Sequence, residues 1–425
     1  MKKLFWGGIH PKDQKEMSYC DETISLIEPE EVVIPLSQHI GAACEPLVKV
    51  GDLVCMGQKI GDGNGLCVPV HASVSGIVTA IEMRPHTNGT NVLSIVIKND
   101  YKYTWQKMTA KGRLFDLIRE AGIVGMGGAA FPADVKARSA YENIDTLIIN
   151  ACECEPYITA DDTLIRMEPE RVLKGIELLG NALNPKNIIL AIEDNKSQAI
   201  KTLNKYLKAD SDITIKILPT RYPQGAEKQL VKAVTGREIP PGQLPTSVAC
   251  AVFNVSTAAA ICQAVCEGIP LIRRIVTVTG EGVVKPKNFL VPLGTSFRTL
   301  LDAAGGLREN VQKVIAGGPM MGKAQESLDV PVVKGTGAIL CLTDVPVTTS
   351  GKCIRCGKCI EACPMNLQPL YLYRYEKAGD LAALEEFYLP DCMECGCCAY
   401  VCPEKLPLVE VFRAGKRALK EAKTK

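Results

Sequence analysis

The sequence predicts a multidomain α/β plus all-β protein, and three observations carry that prediction. Short β-branched runs separated by Gly and Pro turns extend from Glu31 to about Asn99. From Lys111 to Leu342 helical and strand patterns alternate, as in an α/β domain. Near the C-terminus Cys353, Cys356, Cys359 and Cys363 precede Pro364, and the same spacing returns at Cys392, Cys395, Cys398 and Cys402 before Pro403. The 425 residues divide into 1–99, 100–270, 271–345 and 346–425.

In the first unit, Val32–Pro35, Leu47–Asp52, Gly57–Gly61, Ser75–Ile81 and Val92–Ile97 each read as a strand or its turn. The order VKVGD, GQKIG and PVHASVSGIV resembles the barrel-sandwich hybrid of biotinyl and lipoyl carrier domains. The carrier lysine is missing, because the hairpin segment reads His71-Ala72-Ser73-Val74-Ser75. The fold is therefore expected without the swinging arm.

In the middle unit Arg113 to Ala121, Glu168 to Leu179 and Asn195 to Lys208 read as helices. Thr146 to Asn150, Asn187 to Ile192 and Ile213 to Leu218 read as buried strands. Val248 to Ile272 is the longest apolar stretch, but Asn254, Ser256, Thr257, Gln263 and Glu267 interrupt it. It reads as a buried helix rather than a membrane span. A β-grasp-like insert begins near Arg273, with strands at Ile275–Gly280 and Val291–Thr295, and closes at Val314–Gly322.

The last unit, from about Ser350, carries the cysteine runs. The spacing C-x2-C-x2-C-x3-C-P is that of bacterial two-cluster ferredoxins, where three thiolates of one run hold a cubane and the fourth ligates the other. A structural zinc site uses two C-x2-C pairs and closes at four ligands, so a third Cys followed by a fourth before Pro does not fit it. Two [4Fe-4S] clusters are expected, on Cys353, Cys356, Cys359 with Cys402, and on Cys392, Cys395, Cys398 with Cys363. Cys397 has no counterpart in the first run, where Lys358 stands, and reads as a non-ligand. Between the runs Leu367–Glu376 and Asp380–Phe387 have helical spacing, which makes this an α-helical ferredoxin-type domain. Leu408 to Lys425 reads as a basic amphipathic helix weakened at Gly415, a solvated terminal helix in preference to a docking surface.

Composition limits the partners. A formal net charge of +2 lacks the basic stripe that nucleic acid selects, so no nucleic-acid partner is expected. Eight of the 19 cysteines belong to the cluster runs, and Met1 to Trp6 is cut short as an apolar leader by Gly7, Gly8, His10 and Pro11. A reducing cytosolic setting follows, with membrane association through partners.

The segment Gly122-Ile123-Val124-Gly125-Met126-Gly127-Gly128-Ala129-Ala130-Phe131-Pro132 packs four glycines into seven residues, which lets backbone amides approach a phosphate. It satisfies neither the dinucleotide fingerprint nor the P-loop. A strand then ends in Asn150-Ala151-Cys152-Glu153-Cys154-Glu155-Pro156, at the edge where parallel sheets bind ligands. Tyr222-Pro223-Gln224-Gly225-Ala226-Glu227 and Phe253-Asn254-Val255-Ser256-Thr257 follow.

This ordered set resembles the flavin- and NADH-binding subunit of respiratory complex I. With Phe5-Trp6-Gly7-Gly8-Ile9-His10-Pro11, the barrel-sandwich segment and the cluster runs, the whole chain resembles the RnfC subunits of Rnf-type ion-translocating ferredoxin:NAD oxidoreductases. The resemblance implies FMN, with phosphate and ribityl against Gly125, Gly127, Gly128, Ala129 and Phe131, and isoalloxazine beside Asn150, Glu153 and Glu155. It implies NAD(H) near Tyr222, Gly225 and Glu227, and Asn254 and Thr257 near the phosphate. Met126 stands where complex I has Arg, and Ala226-Glu227 where it has a Glu pair. The function implied is electron exchange between NADH and other subunits of a membrane-bound complex on its cytoplasmic side, indirectly with ferredoxin, coupled to Na+ or H+. A soluble cobalamin reductase of the propanediol-utilisation type and a flavin-free electron wire remain as alternatives. Cys152 and Cys154 read as packed.

Overall fold

The computed structural model describes residues 5–19, 24–345 and 351–424. The residues Met1 to Leu4 of the opening segment, the expected domain start at Ser350 and the expected helix end at Lys425 lie outside them.

The first unit holds two antiparallel sheets. One is ordered Glu31–Pro35, Asn91–Asn99, Gly76–Pro85, Leu53–Val54, the other Glu45–Pro46, Lys59–Asp62, Val70–His71. Strand alternation sends Val32 and Ile34 inward, where they share a core with Val78, Ile95, Ile97, Ile60 and Val70. Ser25–Leu26 leaves this unit and pairs with Phe289 and Leu290 of a distant sheet, a strand that sequence alone does not mark.

The middle unit is a four-stranded parallel sheet in the order Ile213–Leu218, Asn187–Glu193, Thr146–Ala151, Cys250–Asn254. Leu147, Ile148 and Ile149 are fully buried, which is why Thr146–Ala151 reads as one continuous apolar run. The Val248–Ile272 reading needs correction. Cys250–Asn254 is a strand, and only then do an α-helix at Val255–Cys262 and a π-turn at Gln263–Glu267 follow. Asn254 makes the switch, since its side-chain oxygen accepts the Ser256 and Thr257 amides and caps the helix. That helix packs against Pro169–Leu183 at Gly175, where a Cβ would lie 1.9 Å from the Ala258 carbonyl oxygen, so the two helices meet backbone to backbone.

The insert is a six-stranded mixed sheet ordered Ser25–Leu26, Lys287–Pro292, Arg273–Thr279, Ala338–Leu342, Lys313–Ala316, Lys323–Ala324, with the helix Phe297–Ala303. The C-terminal unit is helical: Lys358–Ala362, Pro369–Ala378, Leu381–Glu386, Cys397–Tyr400 and Leu408–Thr424. The last helix runs straight through Gly415, whose Cα faces Leu384 and Leu389, and buries Val411, Phe412 and Leu419 in the cluster domain. Its apolar face is therefore occupied by its own domain. Among the described residues no helix is long and apolar enough to cross a membrane.

Candidate functional site

The ligand edge of the parallel sheet is built by two asparagines in register, Asn150 and Asn254. The Asn150 amide donates to the Gly225 carbonyl at 2.8 Å, while its oxygen accepts the Cys152 amide at 3.1 Å. Gly225 in turn donates to Cys154 Sγ at 3.3 Å. These bonds bring the Asn150 turn and the Gly225 loop together, as expected. Cys152 is fully buried and Cys154 has its thiol pushed up to about 12 by burial, which suits packing rather than thiolate chemistry.

Across this edge lies the glycine-rich loop. Gly125 N–H closes it by donating to the Phe131 carbonyl at 2.8 Å, and Met126 N–H donates to Thr257 Oγ1 at 2.9 Å. Asn254 and Thr257 thus hold the helix end and the loop in place, with Asn254 Nδ2 also bonded to Asp161 at 2.7 Å. The amides of Gly127, Gly128 and Ala129 have no protein acceptor among the described residues and are exposed. A Cβ built on Gly128 would meet nothing within 4 Å, and its φ of +119° belongs to glycine. Free consecutive amides beside the N-terminus of Val255–Cys262 could hold an anion, and the residues present fit an FMN phosphate.

Two cations that sequence reasoning missed flank the cradle. Lys136 Nζ donates to Glu227 at 2.8 Å and to the Val252 carbonyl at 3.1 Å. The fully buried Arg274 guanidinium, lowered to about 10 by desolvation, reaches the Met126 and Lys334 carbonyls from the insert. Neither carries a local motif, since each acts through the fold.

Three expected site residues are turned elsewhere. The Glu153 carboxylate accepts the Asp161 and Asp162 amides and caps Ala160–Met167, and burial raises its pKa to about 8. Glu155, raised to about 7 by burial, accepts the Met320 and Met321 amides and so clasps the insert. Tyr222 is 2% exposed, and its hydroxyl donates to the Cys395 carbonyl at 2.8 Å rather than facing the cradle.

The cysteines form two hollows. One is lined by Cys353, Cys356, Cys359 and Cys402, the other by Cys363, Cys392, Cys395 and Cys398. Each hollow thus takes three thiols from one run and the fourth from the other. That donor set, with apolar residues such as Leu406 and Phe412 also in the lining, fits a cubane cluster. Cys397 is fully buried and also borders the second hollow, in a packing cluster with Ile9, Tyr222 and Ala362.

Comparison with known proteins accounts for this arrangement. Residues 3–102 match the RnfC barrel sandwich hybrid domain, 118–263 the Nuo51 FMN-binding domain, 275–324 the SLBB domain and 352–406 the 4Fe-4S dicluster domain. The chain is 44% identical to the RnfC-type subunit of the Na(+)-translocating ferredoxin:NAD(+) oxidoreductase complex of Acetobacterium woodii, over 88% of this chain and 87% of that one. The chain belongs to the RnfC family. The counterpart from the proton-translocating complex of Clostridium ljungdahlii is 42% identical, over 88% of this chain and 84% of the relative. The corresponding subunit of the ion-translocating oxidoreductase complex of Vibrio cholerae is 43% identical over 91% of this chain, which spans 52% of that longer relative.

Within this RnfC-family chain the opening segment becomes intelligible. Gly8 N–H donates to the Ala362 carbonyl, and Ile9 pairs with Tyr222, so the segment wedges between flavin and cluster domains. Gln229 completes the seam by donating to the Pro364 carbonyl at 3.0 Å. Tyr222→Phe should strand the buried Cys395 carbonyl at a cost of about 1–3 kcal/mol. Flavin content should stay at the wild-type level while the cluster beside Cys395 becomes more labile to oxidation, as followed by iron release. Flavin loss with iron unchanged would instead place Tyr222 in the cradle.

Proposed function

We propose that the chain exchanges hydride between NAD(H) and FMN at the glycine-loop cradle and passes single electrons through two [4Fe-4S] clusters to other subunits. The activity served is ferredoxin:NAD+ oxidoreduction coupled to Na+ or H+ transport, on the cytoplasmic face of a membrane complex. Family membership favours this reading over the cobalamin reductase considered from sequence.

Bound flavin converts a hydride into single electrons, and cubanes carry one electron each. The protein's part is placement. Gly127 to Ala129 and the capped helix hold the phosphate, Asn150 and Gly225 shape the ring side, and Glu227, fixed by Lys136, lies where nicotinamide enters. The observation that carries the reading is the Tyr222 hydroxyl on the Cys395 carbonyl. It seats the Cys363, Cys392, Cys395 and Cys398 site against the flavin domain and leaves the Cys353, Cys356, Cys359 and Cys402 site outermost. The outer site has an exposed rim, with Cys356 open to solvent and Ile354 59% exposed, which suits delivery to a partner subunit.

The test is an anaerobic NADH titration of the holoprotein. Reduction of clusters by NADH with FMN present, and none after FMN is removed, is the expected result. Clusters that stay oxidised with flavin in place contradict the proposal.

A further inference from the structure

A set of soft ligands unrelated to the cluster runs is assembled in the barrel-sandwich unit. Cys44 leads into the Glu45–Pro46 strand, Cys67 stands in the connection between Lys59–Asp62 and Val70–His71, and His39 precedes both. One ligand atom from each lies within 4.8 Å of the other two. Both thiols are buried, Cys44 at 4% and Cys67 at 3% exposure, and their sulfurs are 3.5 Å apart. A disulfide requires about 2.05 Å. Two thiolates on a tetrahedral ion at about 2.3 Å stand about 3.8 Å apart, close to the observed separation.

The imidazole is oriented for the same task. His39 Nδ1 faces the Ile40 carbonyl at 3.3 Å, while Nε2 accepts the Val68 amide at 3.2 Å. A carbonyl that holds Nδ1–H leaves the Nε2 lone pair for a ligand role, the outer-shell arrangement usual for metal-binding histidines. A cation replacing the Val68 amide at Nε2 frees that amide to donate to a thiolate.

A buried cation lies beside the set. Lys334 is fully buried, its ammonium donates to the Pro69 carbonyl, and no carboxylate is paired with it among the described residues. Asp62 is taken by Lys59 and Arg119.

We propose that Cys44, Cys67 and His39 bind one thiophilic divalent cation of the Zn2+ class, with water in the fourth position. The site adjoins the cradle, because Ile40 N–H donates to the Ala130 carbonyl at the end of the glycine loop. The proposal does not depend on the flavin reading.

The test uses anaerobically purified holoprotein, both clusters present, from cells supplied with Zn2+. Metal analysis should find about one zinc per chain in addition to iron, and the zinc absorption edge should show about two sulfurs at about 2.3 Å with nitrogen or oxygen completing the shell. Cys67→Ser and His39→Ala should each lose the zinc while retaining iron. Zinc below a tenth of an ion per chain, a shell of four sulfurs, zinc unchanged in both variants, or a Cys44–Cys67 disulfide found by peptide mapping would each overturn the proposal. The measurement on the native chain decides even if a variant fails to fold.

Discussion

Cys363→Ala is expected to cost the chain the cluster named by the other cysteine run, lowering iron from about eight to about four atoms per chain. By sequence Cys363 belongs with Cys353, Cys356 and Cys359. In the structure it ends the Lys358–Ala362 helix in an extended conformation and lines the hollow of Cys392, Cys395 and Cys398. The surviving paramagnetic signal should come from the site completed by Cys402, which additional substitution of Cys356 removes. NADH should still reduce the flavin in Cys363→Ala, yet the surviving cluster should stay largely oxidised, as the proposed wire requires of a site lying between them. Loss of the Cys353 site instead, with the Cys392 site intact, would refute the crossed ligation.

Gly128→Val should abolish flavin-dependent electron entry and leave the iron in place. At φ +119° a β-branched residue is strained by about 1–3 kcal/mol, a cost met whenever the loop takes its cradle shape. The added Cβ meets no protein atom within 4 Å, so the effect comes through backbone strain and the bulk added at the loop. Flavin affinity should fall by about five- to 150-fold from strain alone, and further from lost volume. Flavin released on denaturation and iron content report the two sites separately. Normal flavin content in this variant would move the cofactor away from the loop.

The cysteine runs were legible because cubane geometry is imposed on a short stretch of chain, and the fold gathers three thiols of one run with one of the other around each hollow. The parallel strands were legible for a similar reason, since Leu147, Ile148 and Ile149 are apolar on both faces. The mistaken helix over Val248–Ile272 shows the limit: a buried short strand and a buried helix have the same composition, and only the Asn254 cap marks their junction. Tyr222, Glu153 and Glu155 fall with the flavin residues by resemblance to the motifs of the complex I subunit. The partners of Tyr222 and Glu155, Cys395 and Met320, lie more than a hundred residues away, and local pattern carries no record of such contacts, while Glu153 turns to a helix start only eight residues on. Lys136 and Arg274 escaped notice for the same reason. The His39, Cys44 and Cys67 set has no familiar spacing and exists only once the barrel-sandwich unit folds.

The ordering of the sites can be tested by mixing anaerobic holoprotein with NADH for a single turnover, following flavin by absorbance and the two clusters by freeze-quench paramagnetic resonance. Flavin reduction should come first, then the Cys363, Cys392, Cys395 and Cys398 cluster, then the cluster of Cys353, Cys356, Cys359 and Cys402. Reduction of the outer cluster ahead of the inner one, or of either at an undiminished rate in protein stripped of flavin, would contradict a wire that starts at the glycine loop.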